Sequence, residues 1–374
     1  MSTTLATIFG LMWCGCSSSN SKSGIILGHY ASMTGAQATF GQSTDNGIRL
    51  AVDEINAAGG VDGKSIELIT YDDKSDAREA ATAVTRLVTR DHVTAVLGEV
   101  ASKLSLEGAP ICQANGVPMI TPSSTNPKVT EVGDMIFRVC FIDPFQGYVC
   151  AKFARENLKA EKAAILYDQS QTYSAGLQEQ FAKAFKELGG TITTTQAYQN
   201  GEQDFSAQLT AIRGTKPDIV FIPGYYNDVG NIASQARKLD ITVPLLGGDG
   251  WESPKLAEIG GDAINGCYYS NHYSPQDPNP KIQDFIQKYK KHFGATPDSM
   301  AALGYDATEI FCDALKRAGS TATGAEIAAQ LAKTKDFAGV TGSITIDEHR
   351  NAVKPAVILQ MKDGVPTYVT TIKP

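Results

Sequence analysis

Two short loops rich in hydroxyl groups are the first places in this sequence where the residue types could bind a ligand. The apolar run 96–98 is followed by Ser102, and the apolar run 119–120 is followed by Ser123 and Thr125. Each loop is predicted to open a helix, so its hydroxyls and free backbone N–H groups suit a carboxylate. Ordinary helix capping would explain either loop taken alone.

Aromatic side chains and one carboxylate form a second group of candidate ligand-binding residues. Tyr173, Tyr225 and Asp249 each come a few residues after an apolar run that is typical of a strand. An aromatic face and a carboxylate suit an ammonium group, through cation–π attraction and charge-assisted hydrogen bonds. One group of loops would therefore hold an anion and the other a cation. A zwitterion of amino-acid size satisfies both requirements.

The segments that carry these loops alternate between β-branched runs and amphipathic stretches of helical length. The alternation begins with a strand at 25–30 and a helix at 41–57, and a second set of the same kind begins near residue 144. Such alternation with short connections predicts an α/β fold of two parallel sheets, each covered by helices on both faces. In open sheets of this kind ligands bind at the carboxyl ends of the strands, where the candidate residues lie. The proline-rich run 274–280 is predicted to cross between the two layers.

Length and charge narrow the class of protein. The chain has 374 residues, of which 40 are acidic and 33 are basic, and its formal net charge is −7. The length predicts two domains that bury an apolar core without disulfide or metal staples. The acidic balance, together with the lack of a basic block, argues against general affinity for nucleic acid.

The sequence lacks the usual motifs of enzymes. The segment AGGVDGKS at 58–65 is one residue away from a phosphate-binding loop. A helix precedes it and a strand follows, which is the reverse of what phosphate binding requires, so we interpret it as a helix end and a turn. Asp72 and Asp73 are adjacent and are predicted to be solvated, and the five histidines are scattered singly, which argues against a zinc site. The sequence therefore predicts a protein that is not an enzyme and needs no metal or cofactor.

The first residues predict an exported protein. The apolar run from Leu5 to Trp13 is too short to span a bilayer and fits the apolar region of a signal peptide. Cys16 follows Gly15 and begins a polar tether, a pattern that resembles the bacterial lipoprotein signal, in which this cysteine is lipidated. A cytoplasmic terminus without a signal is the alternative. Five cysteines follow the leader, and their spacing does not assign partners.

Five segments carry a resemblance to one known family: GHYASMTGAQATFGQSTDNGIRLAVDEINAAGGVDGKSIELITYDD, MITPSSTNPKVT, YDQSQTYSAGLQEQF, DIVFIPGYYNDVGNIASQAR and LLGGDGW. From about Gly24 to its end, the chain resembles the leucine/isoleucine/valine-binding proteins of ABC importers. The resemblance implies a type I periplasmic binding protein fold, in which two doubly wound α/β lobes are joined by a three-segment hinge. The implied division is a leader and tether at 1–23, an N-terminal lobe of 24–142 and 274–343, and a C-terminal lobe of 143–273 and 344–374.

The resemblance also implies which side chains hold the ligand. They are Ser102, Ser123 and Thr125 for its carboxylate, Tyr173, Tyr225 and Asp249 for its ammonium group, and Phe40, Val100 and Trp251 for its side chain. Asp249 stands where branched-chain binders often have glutamate. The disulfide that is frequent in the family is absent, because Ser75 and Ala101 occupy its positions.

By this resemblance the protein is a periplasmic or cell-surface receptor, lipid-anchored and monomeric. It would capture an aliphatic amino acid by hinge closure and deliver it to the permease subunits of an ABC transporter. Three alternatives stay open. The ligand could be a γ-amino acid, an amide or an aromatic acid, the closure could signal to a sensory partner, or the fold could belong to an enzyme of sugars or nucleotides.

Overall fold

A parallel five-stranded sheet forms the centre of the first lobe in the computed structural model, which describes residues 24–374. Its strands lie in the order β2-β1-β3-β4-β5 and are all parallel. The elements of this part, in chain order, are β1 (Ile25–Ala31), α1 (Ala38–Ala57), β2 (Ile66–Asp72), α2 (Ala77–Thr89), β3 (Ala95–Leu97), α3 (Ser102–Ala114), β4 (Met119–Thr121), α4 (Lys128–Glu131) and β5 (Ile136–Arg138).

Helix α2 illustrates why these segments form their elements. Its buried residues include Ala80, Val84 and Leu87, which recur at helical spacing and face the sheet. The helix begins after Asp76, whose side chain accepts hydrogen bonds from the backbone N–H groups of residues 78 and 79.

At 58–65 the structure confirms a helix end and a turn, with positive φ at three glycines, rather than a phosphate-binding loop.

The second lobe has the same construction around a larger sheet. Its elements are α5 (Asp143–Glu156), β6 (Lys162–Asp168), α6 (Thr172–Glu187), β7 (Thr191–Tyr198), α7 (Ser206–Gly214), β8 (Ile219–Phe221), α8 (Tyr226–Lys238), β9 (Leu245–Gly247), α9 (Pro254–Gly260) and β10 (Tyr268–Asn271). A 3₁₀ turn at Asp249–Trp251 follows β9. The five strands are parallel to one another.

The chain then returns to the first lobe and finally to the second. The returning elements are α10 (Pro280–Phe293), α11 (Ser299–Ala318), α12 (Gly324–Leu331), β11 (Phe337–Gly339), β12 (Gly342–Ile346) and β13 (Ala352–Val353). The strands β14 (Ala356–Lys362) and β15 (Val365–Ile372) add antiparallel to β10, which gives the second sheet the order β15-β14-β10-β9-β8-β6-β7.

Three connections therefore cross between the lobes: between β5 and α5, between β10 and α10, and between β13 and β14. The expected boundary between residues 343 and 344 falls inside β12. Ile344 and Ile346 of this strand pack in the core of the first lobe, as does Ala352, so the last crossing lies after Val353 instead.

The two lobes are packed against each other. One apolar cluster extends from α2 and α3 of the first lobe, through Phe40 and Tyr225, into the core of the second lobe. The hydroxyl of Tyr226 in the second lobe donates to the carbonyl of Ala36 in the first, at 2.9 Å. Burial of this kind across the cleft is what a closed binding protein requires.

The five cysteines of the described chain are buried and unpaired: Cys112, Cys140, Cys150, Cys267 and Cys312. Among the helices of residues 24–374, none combines the length and the apolar character that crossing a bilayer requires. The proposed lipidation site, Cys16, lies outside the described residues.

Candidate functional site

An enclosed cavity lies between the lobes, where the carboxyl ends of the strands of both sheets meet. The space in it that admits the centre of a water molecule is about 10 Å³. The residues that line it are Phe40, Val100, Ser102, Ser123, Tyr173, Tyr225, Asp249, Gly250 and Met300. Seven of the nine candidate residues from the sequence are thus brought together, from both lobes, around one space.

The first lobe contributes hydroxyl groups to this cavity. Ser102 is the first residue of α3, whose opening N–H groups have no partners within the helix. Its Oγ accepts a hydrogen bond from the backbone N–H of Asn126 at 3.3 Å, so its own proton remains available to an acceptor in the cavity. Ser123 also lines the cavity, and its Oγ is 3.5 Å from the carbonyl of Val100. This side can donate hydrogen bonds to an anion.

Thr125 lies beside the cavity but does not line it. Its hydroxyl is buried and makes no hydrogen bond within the described residues. Its carbonyl accepts from the backbone N–H of Asp143 at 2.9 Å, at the start of α5. The side chain of Thr125 interacts with the buried carboxyl group of Asp143, whose pKa burial raises to about 7, so this hydroxyl already has an acceptor nearby.

The second lobe contributes a carboxylate held by neutral donors. Oδ1 of Asp249 accepts hydrogen bonds from the hydroxyl of Tyr173 at 2.9 Å and from Nε2 of Gln146 at 2.8 Å. Oδ2 lies 2.9 Å from Nε2 of His272. Burial lowers the pKa of His272, so the neutral imidazole donates from Nε2. These contacts fix the carboxylate in place without a lysine or arginine to neutralise it.

Aromatic rings surround this carboxylate. The rings of Tyr173 and Tyr225 are stacked with their centres 5.3 Å apart, and Phe40 meets Tyr225 edge to face at 5.9 Å. The backbone N–H of Gly250 donates to the hydroxyl of Tyr173 at 3.2 Å. The site therefore offers an aromatic face and a carboxylate together, an arrangement that attracts a cation.

Trp251, which we expected in the same pocket, lies elsewhere. It is fully buried in the core of the second lobe, where its Nε1–H donates to the carbonyl of Ile222 at 2.9 Å. The 3₁₀ turn directs the indole back under the sheet, against Gly247, where an added Cβ would be 2.1 Å from the ring. The aromatic wall of the cavity comes from Phe40, Tyr173 and Tyr225 instead.

Four residues of the site were missed in the sequence. Met300 comes from the first turn of α11, far along the chain, and Gln146 and His272 do not line the cavity but hold Asp249. None of these three carries a local pattern. Gly250 lies in the glycine-rich run after β9, which is a signal that the sequence does carry. The structure shows why a glycine is needed there: an added Cβ would lie 2.8 Å from the carbonyl of Gly224.

The expectation that Asp73 is solvated was wrong. Asp73 is fully buried and accepts a hydrogen bond from the hydroxyl of Ser32 at 2.9 Å, while Glu99 accepts from the backbone N–H of Ser32 at 3.0 Å. Burial raises the pKa of Asp73 to about 6 and raises that of Glu99 as well. Two carboxyl groups that share one serine tie the loop after β1 to the loop that carries Ser102.

Within residues 24–374, no three or more histidine, cysteine, aspartate or glutamate side chains are grouped so that they could hold a metal ion. The arrangement is therefore one of hydrogen-bond donors on one wall and a carboxylate with aromatic rings on the other.

Comparisons with known proteins agree with this fold. The sequence profile of the family described as periplasmic binding protein matches residues 24–365. A Leu/Ile/Val-binding protein homolog 2 of Brucella abortus is 32% identical over 344 residues, which are 91% of each chain. The crystal structure of the leucine-binding protein LivK of Thermotoga maritima is similar, with a TM-score of 0.89 and 40% identity, over 94% of this chain and 99% of that one.

A second solved structure is also similar over its whole length. It is the branched-chain amino acid transporter substrate-binding protein LivJ of Streptococcus pneumoniae in complex with isoleucine, with a TM-score of 0.88 and 35% identity, over 94% of this chain and 100% of that one. The fold, the matched profile and these relatives together lead to one conclusion: this chain belongs to the periplasmic binding protein family, within its group of leucine/isoleucine/valine-binding proteins.

Proposed function

We propose that this protein is the substrate-binding component of an ABC importer and that it binds an aliphatic amino acid in the cavity between its lobes. The observation that carries the proposal is the pairing of opposite chemistries across one enclosed space. Hydroxyls of the first lobe, Ser102 and Ser123, face the Asp249 carboxylate and the tyrosines of the second. A zwitterion satisfies both walls, whereas a simple acid or a simple amine satisfies one.

In this proposal each end of the ligand has its own partners. The carboxylate accepts from Ser102 and Ser123, which line the cavity, whereas Thr125 does not line it. The ammonium group donates to Asp249 and lies against the stacked rings of Tyr173 and Tyr225. The side chain is directed to the apolar end, which is formed by Phe40, Val100 and Met300.

The packed lobes leave little free space between them. About 10 Å³ of the cavity admits the centre of a water molecule, which is room for about one water, so a ligand held there must be small and in direct contact with both walls. The space is enclosed, so a ligand enters when the lobes are apart and is covered when they close. Because each lobe supplies half of the contacts, the closed form binds the ligand much more tightly than the open form, and this difference drives closure. The closed receptor then delivers the ligand to permease subunits from the outer side of the membrane, where we propose that it is anchored through lipid on Cys16.

A panel of four compounds tests the assignment of the ligand. Leucine carries both charged groups, isocaproate lacks the ammonium group, isoamylamine lacks the carboxylate, and benzoate is an aromatic acid. At a concentration one hundred times its dissociation constant, leucine would stabilise the protein by about 2.7 kcal/mol, which is visible as an increase in the thermal midpoint. Isocaproate and isoamylamine would give much smaller increases. A larger increase with benzoate than with leucine would contradict the proposal.

A further inference from the structure

Glu252 follows the ammonium-binding turn directly and reaches across to the other lobe. Its carboxyl group accepts hydrogen bonds from Ser299 at the start of α11, from Oγ at 2.7 Å and from the backbone N–H at 3.3 Å. Nδ2 of Asn271, at the end of β10, donates to the same group. Glu252 is only 7% exposed. It therefore joins the turn that carries Asp249 to the helix that carries Met300.

The surroundings of this carboxyl group are acidic. Asp298 lies beside it as the N-cap of α11, where it accepts from Oγ of Ser43 at 2.5 Å and from the backbone N–H of Ala301 at 2.9 Å. The other titratable groups that face Glu252 are the phenols of Tyr269 and Tyr273. No lysine, arginine or histidine of the described chain forms an ion pair with Glu252.

A carboxyl group in such a place is stable when it carries a proton. Burial and the charge of Asp298 raise the pKa of Glu252 to about 8, and burial raises the pKa of Asp298. The contacts also accommodate the protonated form. The hydroxyl of Ser299 donates to Oε2 of the ionised group, and the same hydroxyl can rotate to accept a proton held on Oε2, while Asn271 still donates to Oε2 and the backbone N–H of Ser299 to Oε1.

We propose that Glu252 is a positioning residue that fastens the ammonium-binding turn to α11 in the closed protein, and that it does so in its protonated form, so that capture of the amino acid takes up a proton. The inference rests on the proposed function. When the lobes separate, Glu252 loses its contact with Ser299 and its carboxyl group becomes exposed to water. The pKa of the group then returns to the ordinary value for glutamate.

The sign of the pH effect follows from these two states. The pKa is higher in the closed form than in the open form, so protonation favours closure. The stabilisation of the closed form is complete below the ordinary pKa of glutamate, near 4.5, and is lost as the pH rises through about 8. Within this window the affinity for the amino acid falls, by up to about tenfold for each pH unit when one proton is taken up.

Calorimetric titration with leucine between pH 5 and pH 8.5 tests the inference, with the wild type compared with Glu252→Gln. Glutamine is neutral and does not titrate, and its one carbonyl oxygen can still accept from Asn271 and from the hydroxyl of Ser299. We expect the wild type to lose affinity by tenfold or more over the range, and the affinity of Glu252→Gln to change much less with pH. Repeating the titration at pH 6.5 in buffers of different ionisation enthalpy gives the number of protons taken up, which we expect to be near one for the wild type and smaller for the variant.

Two further variants separate this role from a purely structural one. Glu258→Gln removes an exposed carboxylate on α9 that pairs with Lys255, and we expect it to keep the pH profile of the wild type. Ser299→Ala removes one partner of Glu252 and is expected to weaken binding at pH 5 while the profile keeps its slope. Equal pH profiles for the wild type and Glu252→Gln would overturn the inference alone. No binding of leucine at any pH would overturn the proposed function and this inference with it.

Discussion

The substitution Asp249→Asn tests the central element of the site, the carboxylate proposed to hold the ligand's ammonium group. Asp249 is 3% exposed and lies in an enclosed cavity, so an ammonium group bound there has lost its water. None of the three groups that hold the carboxylate, Tyr173, Gln146 and the neutral His272, could replace its charge. Removing one member of a buried charged pair costs about 2 to 5 kcal/mol. Because asparagine keeps a carbonyl acceptor, we expect about 3 kcal/mol, which is roughly a hundredfold in Kd.

The cost to the protein itself must be separated from the cost to the ligand. In Asp249→Asn the amide oxygen can still accept from Tyr173 and Gln146. The amide nitrogen would face Nε2 of His272, whose ring can move its proton to the unpartnered Nδ1. The fold therefore retains most of its hydrogen bonds, and thermal unfolding of the ligand-free variant measures any loss directly.

Calorimetric titration with two ligands gives the assay its discrimination. Leucine should bind Asp249→Asn about a hundredfold more weakly than it binds the wild type, whereas isocaproate, which has no ammonium group, should not lose affinity. The control is Asp262→Asn, an exposed aspartate of the same lobe, which should match the wild type. Unchanged affinity for leucine, or an equal loss for both ligands, would refute the assignment of Asp249 to the ammonium group.

Three further predictions concern the other wall, the packing of the first lobe and the thiols. Ser102→Ala removes a hydrogen bond to a charged group, so calorimetry should show leucine and isocaproate weakened alike, by about 1.5 to 3 kcal/mol; a loss confined to leucine would contradict it. Gly47→Ala places a Cβ 1.9 Å from the carbonyl of Ala301, between α1 and α11, and should lower the free energy of unfolding in urea by at least about 1 to 3 kcal/mol. Its control, Gly214→Ala, meets nothing within 4 Å, and equal stability of the two variants would refute the argument. Burial raises the pKa of all five thiols, so iodoacetamide at pH 8, followed by peptide mapping, should label them only in denatured protein, and rapid labelling of native protein would contradict their burial.

The location of the site could be predicted because the fold class determines it. Parallel strands end at one edge of their sheet, so the loops that carry Ser102 and Ser123 were expected at one edge of the first sheet, and those that carry Tyr173 and Asp249 at one edge of the second. The pairing of a hydroxyl-rich loop with a carboxylate needed only residue types at those ends. The resemblance to a known family supplied the remaining step, which is that the two sheets face each other.

What the sequence did not indicate depends on packing over long distances. Met300 enters the cavity because α11 lies on the first lobe with its first turn at the cleft, and no local pattern indicates that position. Trp251 is next to Gly250 in the chain, yet the 3₁₀ turn gives the two residues opposite directions. Asp73 looked like a solvated carboxylate because nothing near it in the sequence shows that Ser32 lies above it in the fold.

The hydrogen bonds that hold Asp249 suit it to the proposed contact with the ligand's ammonium group. The hydroxyl of Tyr173, the amide of Gln146 and the imidazole of His272 reach the carboxyl group from three directions and fix its position. All three donors are neutral, so they orient the group and leave its charge for the ligand. A lysine or arginine in any of these places would form an ion pair with Asp249, and the ligand's ammonium group would then have to compete with it. The proposed binding of an ammonium group therefore depends on the set of neutral donors as much as on the aspartate itself.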